Sequence, residues 1–331
     1  MPSSTTWSSN APGWLAAALN GGHAYSDRVA QAWPSVVGYY AGRYGHSDQA
    51  QWRQRLAAGE IWCNGQQLQA DEPLAAGDRL VWHRPPWQEA AVPVLPEEAI
   101  VFDDGDLLVL NKPSGLPVLP AGGFLRHTLL AQLDELVEGA PRPVHRLGRY
   151  TSGLLVCARR PASRAWLSAA LRDSTAASAS SCRKLYRALS EPLPPDWAVG
   201  ESRPVCTPIG RGAHPLLGQI WCGQAPGETL EGALASRSVF TLLERRPQAC
   251  LLEVGIATGR PHQIRIHAAA LGAALLGDPL YRSGGSARPE ALPGDGGYRL
   301  HAHRFSLISP QGQPLQLEAP LPPELIEATS P

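Results

Sequence analysis

The 331-residue chain carries 29 basic and 29 acidic side chains, so its overall charge gives no argument for a nucleic-acid partner. Hydrophobic residues make up 44% of the sequence and charged residues 18%, which excludes a disordered chain and suits about two domains. No stretch approaches the ~20 apolar residues of a membrane span, and the six cysteines match neither a disulfide framework nor a zinc site. We therefore expect a cytoplasmic protein with reduced thiols.

Two irregular stretches border the first predicted domain. Residues 1–22 are rich in Ser, Gly and Ala and predict a disordered tail. Prolines are concentrated in and just before residues 87–96, which predicts a linker. The sequence between them, residues 23–86, is expected to fold as a small α+β domain.

A helix and a hairpin are predicted inside this first domain. Ser47 is a suitable N-cap for a helix that Gly59 would end. The pair Asn64-Gly65 between two short apolar runs predicts a hairpin, and residues 79–83 predict a further strand. This order of elements loosely resembles the S-four-type RNA-binding fold, which implies a small RNA-binding domain.

The rest of the chain alternates apolar runs with a few helical patterns. Strands outnumber helices and there is no regular βαβ alternation, so an α+β fold with a mixed sheet is expected. The predicted strands are 99–102, 107–110, 153–158, 184–189 and 250–256, and the predicted helices are 126–137, 161–172 and 259–271.

Basic residues are concentrated in one part of this second region. Between Pro141 and Ser190 there are ten basic side chains and one acidic side chain, a local charge of about +9. Such a block can follow a polyanion such as RNA. The alternative is that these arginines lie on a solvated helix face.

Four segments occur in an order typical of one enzyme family. They are DDGDLLVLNKPSGLP at 103–117, HRLGRYTSG at 145–153, KLY at 184–186, and TGRPHQIRIH at 258–267 with GDPLY at 277–281 and LHA at 300–302. Together, over roughly residues 97–308, they resemble the RluA-type RNA pseudouridine synthases, which implies a catalytic domain at 97–320. The resemblance implies a mixed, mainly antiparallel sheet. It also implies a monomer that isomerises uridine in rRNA or tRNA without a cofactor or metal.

The resemblance also assigns roles to residues. It implies that Tyr186 lies against the uracil ring and that Arg265 pairs with a catalytic aspartate. In this sequence the aspartate position is Gly148. The residues expected to contact RNA are Arg146, Arg149, Lys184, Arg260 and His262.

Gly148 has two consequences. Glycine has no side chain that could attack an anomeric carbon or accept a proton. Arg265 also loses its expected partner, and a buried guanidinium without one costs several kcal/mol. Asp278, Glu253 and Asp103 are candidate replacement carboxylates, and the sequence does not choose between them.

Three hypotheses follow. The first is an active uridine isomerase on structured RNA with a replacement carboxylate. The second is a family member that has lost catalysis and binds RNA. The third is an enzyme that acts on a free nucleoside or nucleotide, which the family motifs and the S-four-type resemblance disfavour.

Overall fold

The computed structural model describes residues 13–137, 139–173, 182–225, 227–291, 297–309 and 312–327. The chain divides into two compact units, and the smaller one is Ala17–Ala90. The larger unit consists of the residues on either side of it. In the part of the chain that the structure describes, no helix is long and apolar enough to cross a membrane.

The described residues form five α-helices and twenty-one strands. The helices are α1 Val36–Arg43, α2 Gln49–Ala57, α3 Leu129–Leu136, α4 Pro161–Asp173 and α5 Gln263–Ala270. The strands are β1 Trp14–Leu15, β2 Ala18–Leu19, β3 His23–Arg28, β4 Ile61–Cys63, β5 Gln66–Gln67, β6 Arg79–Arg84, β7 Gln88–Glu89, β8 Val92–Pro93, β9 Ile100–Asp103, β10 Leu107–Lys112, β11 Arg142–Pro143, β12 Thr151–Ala158, β13 Cys182–Ser190, β14 Ser202–Val205, β15 Ile209–His214, β16 Gly218–Gly223, β17 Glu231–Leu234, β18 Ser238–Arg246, β19 Ala249–Ile256, β20 Leu300–Ile308 and β21 Pro314–Glu318.

The smaller unit contains the predicted hairpin and helix. The strands β4 and β5 pair across Asn64-Gly65, both with positive φ, as predicted. The helix α2 begins one residue later than predicted, because Asp48 rather than Ser47 caps it in a capping box with Gln51. Trp52 of α2 is fully buried, so it fills the core of this unit. The S-four-type assignment of the unit stays a prediction.

The expected tail and linker contain paired strands. Residues 1–12 lie outside the described residues. In the expected tail, β1 pairs with β8 and β2 pairs with β7. These backbone hydrogen bonds form four two-residue strands within residues 13–22 and 87–96, where composition alone predicted none.

A ten-stranded sheet forms the centre of the larger unit. Its order is β14-β18-β19-β13-β20-β12-β10-β9, with β11 and β21 paired at its side. The neighbours are antiparallel except for β12 and β20, which are parallel. The α+β fold with a mixed, mainly antiparallel sheet is therefore confirmed.

One row of this sheet joins four of the motif segments. Lys112 lies opposite Gly153, Gly153 opposite Ala302, and Ala302 opposite Tyr186. A Cβ at Gly153 would overlap the backbone of Ala302, and the φ of Gly153 is +98°. Glycine is therefore required where the TSG strand approaches the LHA strand.

The helix predicted at 259–271 is shorter than expected. It begins at Gln263, because the preceding residues form a turn in which His262 has a φ of +56°. The side-chain oxygen of Gln263 accepts hydrogen bonds from the Arg260 N–H at 3.1 Å and from the Thr258 hydroxyl at 2.6 Å. These bonds hold a turn in place of the first helical turn of the predicted helix.

Candidate active site

Arg265 of α5 has a carboxylate partner. Its Nε and Nη2 donate to the two oxygens of Asp278 at 2.6 and 2.7 Å. The Arg265 side chain is 9% exposed and that of Asp278 is 1% exposed. Burial is the largest single influence on Arg265 and opposes its charge, but the hydrogen bonds and charge of Asp278, with smaller contributions from Tyr298 and Tyr281, together outweigh it and raise the pKa of Arg265.

The other two candidate carboxylates pair with different arginines. Glu253 lies 3.6 Å from Arg187. Asp103 accepts two hydrogen bonds from Arg159 at 2.8 and 2.9 Å. Of the three candidates, the structure brings only Asp278 to Arg265.

Two tyrosine rings pack against the Arg265 guanidinium. Its carbon lies 4.3 Å from the ring centre of Tyr298 and 4.9 Å from that of Tyr281. Both tyrosines are buried, and such cation–π contacts stabilise a charge that has left water. Sequence reasoning missed both of them. The GDPLY motif offered a signal for Tyr281, whereas Tyr298 belongs to none of the motif strings.

The space beside Gly148 is occupied. Gly148 is itself exposed, but a Cβ built on it would overlap the hydroxyl of Tyr298. The same Cβ would lie 3.3 Å from the Thr151 hydroxyl oxygen, and the two hydroxyls are 3.3 Å apart. The phenol oxygen of Tyr298 therefore stands where a side chain at position 148 would begin.

Tyr186 lies on the central row of the sheet, opposite Val254 on one side and Ala302 on the other. It is 8% exposed. Burial, with a smaller contribution from Cys182, raises the pKa of Tyr186, so its phenol is neutral.

The HRLGRYTSG loop is held in place at His145 and at Arg149. The Val156 N–H donates to Nε2 of His145 at 3.0 Å, and burial followed by the charge of Lys184 lowers the pKa of His145 to about 4. Lys112 is fully buried, and burial followed by Arg149 lowers its pKa to about 7. Its amino group donates to the carbonyls of Pro113, Leu116 and Arg149. Lys112 thus ties the NKPSG turn to the residue after Gly148.

The five residues expected to contact RNA differ in how they are bound. Arg146 is exposed, and within the described ranges it makes no hydrogen bond or ion pair. The other three cations each donate to a backbone carbonyl. These bonds are Arg149 to Gly115 at 3.0 Å, Lys184 to Leu171 at 3.1 Å and Arg260 to Ala235 at 3.1 Å. Arg146 is therefore the cation with the greatest freedom to meet a phosphate.

His262 is part of a hydrogen-bonded chain. The Tyr281 hydroxyl donates to the Trp221 carbonyl at 2.6 Å, so Nδ1–H of His262 donates to that hydroxyl at 2.8 Å. The ring is dehydrated on its Tyr281 side although the residue as a whole is exposed. This dehydration, followed by the charge of Arg265, lowers the pKa of His262. The imidazole is therefore neutral and adds no charge to the basic surface.

A cavity of about 520 Å³ borders the site at Tyr298. Ser152 and His301 also line it, and their Oγ and Nδ1 atoms are 2.9 Å apart. Arg265 and Tyr186 do not line this cavity. Among the described residues, no group of three or more His, Cys, Asp or Glu side chains could hold a metal ion.

Solved structures with a similar fold are pseudouridylate synthase domains. Human RNA pseudouridylate synthase domain containing 4 superposes with a TM-score of 0.52 at 21% identity. The superposition covers 69% of this chain and 90% of that one. At this level of identity the likeness shows the fold alone.

Sequence comparisons establish the family. The model of the RNA pseudouridylate synthase family matches residues 106–270. An uncharacterized RNA pseudouridine synthase of Synechocystis sp. is 40% identical over 298 residues, which cover 88% of this chain and 95% of the relative. Ribosomal large subunit pseudouridine synthase D of Neisseria meningitidis serogroup A is 31% identical, over 83% of this chain and 72% of the relative. The chain belongs to the RluA-type RNA pseudouridine synthase family.

Proposed function

We propose that this protein isomerises uridine to pseudouridine in structured RNA, either rRNA or tRNA. One observation carries the proposal: contacts between neighbouring residues connect the motif segments to one another within the larger unit. Tyr186 and the TSG and LHA strands share one row of the sheet. Arg265 contacts the aspartate of GDPLY and the ring of Tyr298, two residues before the LHA strand.

The proposed uracil site lies between Tyr186 and Arg265. Tyr186 offers an aromatic face and a neutral phenol. The target uridine has to leave its stack to reach such a site, which aromatic walls and a basic rim favour. Arg146, which is exposed, is proposed to bind a phosphate at that rim.

Asp278 is proposed to act through Arg265 rather than on the substrate. Both its oxygens already accept hydrogen bonds from Arg265, and Oδ1 also accepts from the N–H groups of Leu280 and Tyr281. A carboxylate with this many donors is a poor nucleophile and a poor base. It therefore fixes the guanidinium in place. The proposal further includes a monomer that works in the cytoplasm and needs no cofactor.

The direct test is a product assay. Pseudouridine-free rRNA and tRNA transcripts are incubated with the protein and mapped chemically for pseudouridine. Product at defined uridines is expected, and Tyr186→Leu, which removes the aromatic face, is expected to abolish it. Free uridine monophosphate is the comparison substrate, and its turnover at a similar rate would contradict an RNA enzyme.

A second function, RNA binding without catalysis, has one observation in its favour. Gly148 has no side chain, and the carboxylate at Arg265 is fully bonded. A protein that binds these transcripts tightly and forms no pseudouridine in any of them would replace the first proposal with this one. A salt titration measures the binding, since phosphate contacts weaken steeply as ionic strength rises.

A further inference from the structure

Gly148 and Tyr298 are complementary in shape. The side chain that is absent at 148 and the hydroxyl that is present at 298 would occupy the same space. The Tyr298 ring carbon that bears the hydroxyl would lie 3.5 Å from a Cβ at 148, an ordinary contact. The overlap is therefore confined to the phenol oxygen.

The hydroxyl oxygen of Tyr298 makes few hydrogen bonds inside the protein. Within the described part of the chain, its one hydrogen bond is with the Thr151 hydroxyl at 3.3 Å, a long one. Asp278 is the opposite case, because its two oxygens accept four hydrogen bonds. Of Asp278, Tyr281 and Tyr298, the oxygen-bearing side chains that contact Arg265, Tyr298 thus has the fewest hydrogen bonds to the described part of the protein.

We propose that Tyr298 is a catalytic residue, and that its phenol oxygen performs the task of the carboxylate that Gly148 lacks. The inference rests on the proposed function, since it assigns a role within uridine isomerisation. A tyrosine oxygen is an established type of nucleophile at a sugar's anomeric carbon. Gly148 is exposed, and the oxygen occupies the space where its side chain would begin, which is the space that the ribose has to reach in this proposal.

The chemistry balances without a further reactant. The Tyr298 oxygen attacks C1′ of the target ribose, so an O–C1′ bond forms and the C1′–N1 bond breaks. The phenol proton passes to the departing uracil. The uracil then turns, and its C5 attacks C1′ while the O–C1′ bond breaks. The proton on C5 returns to the phenolate oxygen, which restores Tyr298 and leaves pseudouridine.

Arg265 is placed to support both steps. Its guanidinium carbon lies 4.3 Å from the ring centre of Tyr298. A fixed positive charge against the ring stabilises negative charge that develops on the phenol during proton loss and bond cleavage. Asp278 holds the guanidinium in that position through its two hydrogen bonds.

The first experiment removes one atom. The variant Tyr298→Phe keeps the ring against Arg265 and lacks the oxygen. We expect its single-turnover rate on RNA to fall about 100-fold or more while RNA affinity stays unchanged. The matched control is Tyr150→Phe, which removes a phenol oxygen from the neighbouring ring, 6.1 Å away between centroids. Its rate is expected to fall much less than that of Tyr298→Phe, because its oxygen is not the one beside Gly148.

The second experiment exchanges the two positions. Gly148→Asp alone forces its Cβ onto the Tyr298 oxygen, so it is expected to lower the unfolding midpoint and give no gain in rate. Gly148→Asp with Tyr298→Ala clears the space and supplies a carboxylate. This double variant is expected to turn over faster than Tyr298→Ala.

The outcomes separate the inference from the proposed function. A Tyr298→Phe protein with the wild-type rate overturns the role of Tyr298 and leaves the isomerase intact. A wild-type protein that forms no pseudouridine overturns both. Gly148→Ala is also made in the wild type and in the Tyr298→Phe variant. Equal shifts of the unfolding midpoint in these two backgrounds would contradict the inference, because they would show that the oxygen does not fill position 148.

Discussion

The loop at 145–153 and the segment at 258–267 differ in how their polar groups are satisfied. In the segment, Gln263 and Arg265 are buried and bonded to other parts of the protein. In the loop, both ends are held but the middle is open, with Arg146 and Gly148 exposed. Both segments carry motifs of equal clarity in the sequence. A motif therefore does not reveal whether a residue builds the site or meets the substrate, whereas burial and bonding do.

The largest effect is expected for the buried segment at 258–267, where the Arg265–Asp278 pair can be broken. Asp278→Ala leaves a guanidinium that is 9% exposed without its carboxylate. The free energy of unfolding is expected to fall by about 3–5 kcal/mol, measured by urea denaturation. The control is Asp103→Ala, which breaks a more exposed pair with Arg159 and should cost about 1 kcal/mol or less. Equal costs would contradict the assignment of Asp278 to a buried structural pair.

Gly153, at the C-terminal end of the loop, is expected to give the next largest effect on the free energy of unfolding. Gly153→Ala places a methyl group against the Ala302 backbone at a φ of +98°, and a loss of about 2–3 kcal/mol is expected. Gly105→Ala is the matched control, since Gly105 has a φ of +91° and nothing within 4 Å of its Cβ position. It should cost about 1 kcal/mol. If both variants lose the same stability, the close approach of the two strands is wrong.

His145, at the N-terminal end of the loop, is expected to make the free energy of unfolding depend on pH. Burial lowers the pKa of His145 from 6.5 to about 4 in the folded protein. The unfolded chain therefore takes up the proton first, and the free energy of unfolding decreases as the pH falls from about 6.5 to about 4.

The variant His145→Gln isolates this contribution. Its amide oxygen still accepts from the Val156 N–H, but the side chain does not titrate. Between neutral pH and about pH 4 it should lose about 1–2 kcal/mol less than the wild type, in denaturation curves taken at each pH. Parallel curves for the two proteins would show that His145 titrates normally.

The open middle of the loop should give the smallest effect on stability. Arg146→Ala should leave the unfolding midpoint unchanged, because the side chain is exposed. It should weaken RNA binding and reduce the slope of log affinity against log salt by about 0.7–0.9.

Arg149→Ala, in the same loop, is the comparison. Its guanidinium donates to the Gly115 carbonyl, so we expect a loss of about 1 kcal/mol in stability and a smaller change in the salt slope. A larger change in the salt slope for Arg149→Ala than for Arg146→Ala would contradict the assignment of the two arginines.

Short sequence patterns correctly predicted turns and strands that depend on neighbouring residues alone. The Asn64-Gly65 turn needs positive φ at both residues, and the apolar runs at β10, β12 and β19 fill a buried sheet. The start of α5 was predicted too early, because the side chain of Gln263 reaches back and holds a turn that no periodicity indicates.

The sequence named candidate site residues but not the contacts between them. The motif strings predicted roles for Tyr186 and Arg265 and showed the missing side chain at Gly148. Nothing in the sequence connects position 148 with Tyr298, since 150 residues separate them and only the folded sheet brings them together. The choice of Asp278 over Glu253 was equally inaccessible, because it depends on the fold placing the turn that carries Asp278, rather than the strand β19 that carries Glu253, against Arg265 of α5.

The shared space of Gly148 and Tyr298 restricts the routes that evolution can take at this site. A single base change converts a glycine codon into an aspartate codon, yet the new carboxylate would arrive in a space that a phenol already fills. An aspartate at 148 therefore requires either that the Tyr298 side chain moves or that residue 298 becomes smaller. Substitutions at positions 148 and 298 are therefore expected to depend on each other, so that a change at one position alters which residues fit at the other.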